Sequence, residues 1–128
     1  MIVTKDIEKI VVKDLSDMFP VQKIYCTDDV PDGKVTEERI TVHVKRISIA
    51  TYFNRNFVEV NWCVPDLCGR PDSVRLGEAE HQLSSFEATG EYDDTPYRYG
   101  TESMEIVKSE LGCHYVNLRL LFEQLNVV

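Results

Sequence analysis

The sequence predicts an α+β domain: a single, mostly antiparallel β-sheet with two helices packed on one face, in the order α-β-β-β-α-β-β. Three observations predict it. Two segments place apolar residues at helical spacing, each as one stripe of the kind that covers one side of a sheet. Several other segments alternate apolar and polar residues with a period of two, which marks strands with one buried face. The helices are separated by strand pairs rather than alternating strictly with single strands, which is the pattern of an α+β layer.

The elements follow in chain order. Thr4 is placed to cap a first helix in which Ile7, Ile10, Val11, Leu15 and Met18 recur at helical spacing. Pro20 stops it, because the residue before a proline is pushed out of the α region. A short strand from Val21 to Tyr25 follows, then a turn-rich connection, Thr27 to Lys34, where Asp32-Gly33 supplies turn chemistry. Arg39 to Ile49 reads as a strand whose phase slips by one residue at Lys45-Arg46, so a β-bulge is expected there. In the next strand Val58, Val60, Trp62 and Val64 alternate with Glu59, Asn61 and Cys63. Between these two strands, Ala50 to Phe57 reads as a long aromatic connection.

Pro65 to Pro71 reads as a loop, and Asp72 or Ser73 starts the second helix, with Leu76, Ala79, Leu83 and Phe86 as its stripe and Gly90 as its stop. Glu91 to Gly100 reads as a polar, tyrosine-bearing loop. A strand over Ser103 to Val107, a turn at Leu111-Gly112 and a last strand from His114 to Phe122 form a terminal hairpin, with Met104 and Ile106 sharing a face.

One domain over residues 1–128 is expected, since domains cluster near roughly 100–150 residues. The hydrophobic share of 43% and the charged share of 28% are ordinary for a water-soluble fold. No apolar run approaches the roughly 20 residues that a bilayer needs, and the charged start Met1 to Asp6 has no signal-peptide core, so a cytosolic location and no membrane partner are expected. The formal net charge is −8 and is uneven: residues 1–64 carry 9 Lys+Arg against 10 Asp+Glu, residues 65–128 carry 5 against 12. Glu78 to Glu110 alone holds nine acids against Arg98 and Lys108. Such a surface repels phosphates, so no specific nucleic-acid binding is expected.

No P-loop, G-x-S-x-G, H-E-x-x-H, EF-hand or dinucleotide fingerprint occurs, so the expectation is no catalytic residue and no cofactor. Cys63, Cys68, Cys113 and His114 are the one set that could be drawn as zinc ligands, but no C-x2-C pair exists and the expected metal is none. Cys113 and His114, adjacent on a strand, point to opposite faces. His43 is expected to be solvated or bonded to a neighbour, and His81 to lie on the surface. Asp28-Asp29 and Asp93-Asp94 read as turn residues. Tyr52, Phe53, Arg55 and Phe57, at or beside a hairpin tip, and Tyr97, Arg98 and Tyr99 in a second loop are the candidate subunit-interface residues, because Tyr and Arg favour buried interface positions. Phe53 and Phe57 folding back as core is the competing reading.

Taken together, the amphipathic helix Ile7 to Met18 ending near a proline, the short strand Val21-Gln22-Lys23-Ile24-Tyr25, the strand pair ending in Val58-Glu59-Val60-Asn61-Trp62, and Asp72 opening the helix Ser73-Val74-Arg75-Leu76 before the final strand Tyr115 to Phe122 form a pattern. In that pattern the chain resembles the tail-completion (tail-terminator, head–tail joining) proteins of long-tailed bacteriophages and prophages. The resemblance implies a non-enzymatic virion subunit without cofactor, forming a ring, commonly hexameric, with tail-tube and head-connector proteins as neighbours. It implies a location in the bacterial cytoplasm, or in the virion once the phage assembles. By position on the hairpin, it makes Tyr52, Phe53, Arg55 and Phe57 ring contacts. The acidic stretch Glu78 to Glu110 would then line a channel that lets DNA pass. The alternatives are a small cytosolic α+β binding or regulatory module and a Cys/His metalloprotein.

Overall fold

The computed structural model describes residues 2–49 and 53–125, with the backbone alone for residues 46–49 and 53. Among the described residues two helices and six strands follow in the order α1 (Thr4–Met18), β1 (Ile24–Cys26), β2 (Arg39–Ile49), β3 (Phe53–Pro65), α2 (Ser73–Leu83), β4 (Ala88–Tyr92), β5 (Thr95–Lys108) and β6 (Cys113–Leu125). The α+β class therefore holds, while the expected strand count and sheet type need correction. The strands form one six-stranded sheet in the order β1-β2-β3-β6-β5-β4. It is mixed, because β1 runs parallel to β2 while the other neighbours are antiparallel.

α1 follows its apolar stripe, but its cap differs from expectation. Val3 holds the N-cap position, and Asp6 closes the first turn by accepting from the Val3 N–H at 3.0 Å, so Thr4 is already helical. Met18 is exposed, and Phe19, at the C-cap, is buried in its place. The next strand starts later than expected. Val21 is 89% exposed, and pairing begins at Ile24 opposite Ile40.

β2 keeps the predicted span, and its phase slip is a register shift between Arg46 and Ser48. β3 reaches back to Phe53, so most of the expected Ala50 to Phe57 connection is strand. α2 is capped by Asp72, whose side chain accepts from the Arg75 N–H at 3.3 Å. It ends at Leu83, seven residues before the expected stop at Gly90.

Glu91 to Gly100 is a hairpin, not a loop. β4 and the start of β5 pair from Ala88↔Tyr99 to Tyr92↔Thr95 around Asp93-Asp94. Both aspartates have positive φ, 49° and 61°, as a two-residue hairpin loop of the primed kind requires and as aspartate tolerates. Gly90 faces Tyr97 across the pair; a Cβ there would sit 2.6 Å from the Tyr97 hydroxyl, so the glycine makes room for the ring.

One core fills the helix side of the sheet. Ile7, Ile10, Val11 and Leu15 of α1 and Leu76, Ala79 and Leu83 of α2 join Ile40 and Val42 of β2, Val58, Val60, Trp62 and Val64 of β3, and Val116, Leu118, Leu120 and Phe122 of β6. Both helices thus pack on one face, as expected. Trp62 sits edge-on to Phe19 with centroids 5.0 Å apart. Gln124 ties down the N-terminal arm: the Ile2 N–H donates to its Oε1 at 2.8 Å and its Nε2 donates to the Ile2 carbonyl at 2.7 Å. No helix among the described residues is long and apolar enough to cross a membrane.

Candidate assembly surface

Because both helices lie on one side, the opposite face of β2, β3, β6 and β5 is uncovered by any helix. Its side chains are those of the polar phase of each strand, and they form two cross-strand ladders. In the first, Glu59 on β3 is approached by Lys45 of β2 at 3.9 Å and Arg119 of β6 at 3.2 Å, and accepts from Asn117 Nδ2 at 2.8 Å. Asn117 also donates to Asn61 at 2.6 Å. The Arg119 guanidinium lies over the Phe57 ring, 4.1 Å from its centroid. In the second, Glu123 on β6 holds Arg55 of β3 at 3.3 Å and Arg98 of β5 at 3.2 Å. The cationic partners are solvent-exposed while Glu59 and Glu123 are largely covered, so the pairs fix the positions of charge on the face.

The candidate interface residues therefore separate. Tyr52 lies outside the described residues, and of Phe53 only its place at the start of β3 is described. Arg55 and Arg98 are exposed, and both are paired to Glu123. Phe57 is half-buried on the polar face beneath Arg119. Tyr97 and Tyr99 turn the other way, into the core, where both stack on Phe122. Tyr99 is only 4% exposed and its hydroxyl donates to Asp14 of α1 at 2.6 Å, so it ties the sheet to the helix instead of offering free surface. Burial and the Asp14 carboxylate hold the Tyr99 phenol well above its ordinary pKa. Tyr92, unmarked by the sequence reading, makes a parallel tie to Asp6 at 3.2 Å. A signal for these anchors exists in the sequence: Thr95, Tyr97 and Tyr99 alternate with a period of two.

The set Cys63, Cys68, Cys113 and His114 is split. Cys68 is exposed in the loop before α2. His114 faces away from Cys113 and is bonded through Nδ1 to Asp66 at 2.7 Å. Cys63 and Cys113 are buried together with Val35 and part of Tyr115 on the face away from the helices. Among the described residues, no group of three or more His, Cys, Asp or Glu side chains is placed to hold a metal ion. Burial, with the Cys113 thiol alongside, pushes the Cys63 thiol up to about 11, although the Arg39 guanidinium pulls the other way. Arg39 is buried and its Nε has no hydrogen-bond partner among the described residues. A thiol is nucleophilic only as its thiolate. Native protein treated with iodoacetamide at pH 7.5 is therefore expected to be alkylated at Cys68, with Cys63 and Cys113 reacting only in denaturant; peptide mass mapping reads this, and rapid native labelling of Cys63 would contradict it.

His43 donates to or accepts from Thr27 Oγ1 at 2.6 Å, and His81 is exposed on α2. Asp28 and Asp29 lie in a 3-10 turn directly after β1. Among the nine acids of Glu78 to Glu110, all but Glu80 are exposed, and Glu78 is paired with Arg75 at 2.9 Å.

No family model matches the chain, and no curated protein matches it. A solved structure named only by a sequence identifier matches with a TM-score of 0.60 over 98% of this chain and 98% of its own, at 11% identity. At that identity the likeness is one of fold.

Proposed function

We propose that the chain is a non-enzymatic structural subunit of a phage or prophage virion, a tail-completion or head–tail joining protein that works as a ring. The observation that carries this reading is the one-sided architecture. Two helices build the core on one face of the sheet; on the other face Val35 covers the Cys63–Cys113 end, and the part that carries the fixed ladders centred on Glu59 and Glu123 is left to meet neighbours. Arg55 and Arg98 are the contact residues on that face, and Phe53 begins the strand that carries Arg55. Tail-tube and head-connector proteins are the partners, the bacterial cytoplasm is the site of synthesis, and the virion is the site of work.

The exposed acids of the β4–β5 region suit the wall of a channel through which DNA moves, since like charge keeps phosphates from adhering. Quantitative mass spectrometry of purified virions tests the reading. The expected result is this chain at a fixed ratio to the tail-tube protein, consistent with a single ring per particle. Its absence from virions whose capsid and tail genes adjoin its own would overturn the proposal.

A further inference from the structure

We propose that β5 carries a two-fold dimer site: the outer edge of Ser103–Lys108 pairs antiparallel with the same edge of a second copy, centred on Ile106. The inference goes beyond the virion role and does not depend on it.

The topology supplies the edge. β5 is a strand of 14 residues, yet β4 covers it only over Thr95–Tyr99. From Ser103 to Lys108 it pairs with β6 on one side, and the sheet order ends at β4, so no described strand lies on the other. A row of unpaired N–H and C=O groups is a template for another strand, and folds blunt such rows with proline, short strands, covering loops or bulges. Here the register shift between Thr101 and Ser103 marks where the regular stretch begins, and Ser103-Met104-Glu105-Ile106-Val107-Lys108 beyond it contains no proline and two adjacent β-branched residues. The other sheet edge is blunted by charge and irregularity: β1 pairs with β2 only opposite Ile40–Val42, and the stretch of β2 beyond it carries Lys45, Arg46 and the register shift between Arg46 and Ser48.

The sequence of that edge is complementary to itself. Ile106 is 47% exposed, and it shares the helix-side face with Met104, whose cross-strand partner is Leu118. A two-fold axis through Ile106 sets Ile106 against the partner's Ile106, Met104 against the partner's Lys108, and Glu105 against the partner's Val107. Over Met104–Lys108 no two like charges lie directly opposite; the Glu105 carboxylates of the two copies are diagonal neighbours on the polar face. Met104 and Ile106 of the two copies become one continuous apolar strip, because diagonal neighbours across a pair also touch. A register centred on Glu105 would instead oppose two carboxylates. The contact is isologous, so it consumes both free edges and closes without propagating into fibres.

Light scattering coupled to gel filtration, from about 1 to about 100 µM protein, reads the association. The expected result is a mass rising from 14.8 kDa toward twice that value. Ile106→Lys should raise the dimer dissociation constant at least about tenfold, since it places like charges face to face on the axis. Ile106→Cys in a Cys68→Ser background should form a reducible covalent dimer with diamide, which takes up the two thiol hydrogens, and Glu102→Cys in the same background should cross-link far less. A chain that stays at monomer mass throughout overturns the proposal, as does an oligomer of any size that Ile106→Lys leaves unchanged. Were Ile106→Lys to unfold the chain, the two cysteine variants decide: equal cross-linking overturns the register, and selective cross-linking at 106 supports it.

Discussion

Trp62→Ala is expected to destabilise the fold by about 3–5 kcal/mol, much of the total for a domain of this size. Trp62 is fully buried, packs edge-on against Phe19 at 5.0 Å and carries the Arg75 guanidinium over its ring at 5.3 Å. Its Nε1 donates to Glu38 Oε1 at 2.9 Å, and Arg75 Nε donates to Glu38 Oε2 at 2.7 Å. Trp62 thus joins the end of α1, the start of β2 and the first turn of α2 in one cluster. Trp62→Phe keeps the aromatic contact, loses only the indole N–H, and should cost about 1–2 kcal/mol. Urea unfolding followed by far-UV circular dichroism measures both, and a loss below about 1 kcal/mol for the alanine variant would sink this account of the core.

The same cluster sets a pH dependence. Burial alone raises the Glu38 pKa, but hydrogen bonds from Arg75 and Trp62 together with the Arg75 charge outweigh it and leave the carboxyl below its ordinary value. A lowered folded-state pKa contributes stability that is present above the unfolded value of about 4.3 and is lost as pH falls through the folded one. Wild-type unfolding midpoints should therefore drop below about pH 4.5, and Glu38→Gln should show a smaller drop from a lower starting point.

Gln124→Leu is expected to cost about 2–4 kcal/mol, although it removes no charge and nearly preserves volume. The reason is the backbone it leaves behind. The buried Ile2 loses the acceptor for its N–H and the donor to its carbonyl at once, and neither group has water to turn to. Hydrogen exchange should show the loss concentrated at the N-terminal arm and the last residues of β6. Uniform loss across the sheet, or a change below about 1 kcal/mol in urea unfolding, would mean that the arm is not held by Gln124.

The sheet region around the acidic hairpin shows where sequence reading stops. β2 and β6 are legible because Ile40, Val42 and Val44, and Val116, Leu118, Leu120 and Phe122, alternate without interruption. β4 and the first half of β5 are not, because Gly90, Asp93, Asp94 and Pro96 carry turn signals inside and between the strands. Gly90 is there to admit the Tyr97 ring, and Pro96 is tolerated near the strand end, opposite Glu91. The tyrosines read as surface for a related reason: a phenol suits both an interface and a buried hydrogen bond. Only the position of Asp14 on α1 selects the second for Tyr99.

The sequence by itself determined the α+β class, the two helices with most of their stripes and the strong strands, and it narrowed the start of the second helix to Asp72 or Ser73, because each depends on spacing within one segment. It could not determine that β1 runs parallel to β2, that Cys63 lies beside Cys113, that Gln124 clamps Ile2, or that β5 outruns β4 and leaves an edge free. Each of these is a pairing between segments far apart in the chain, and a strand's own residues carry its period but not the identity, direction or length of its neighbour.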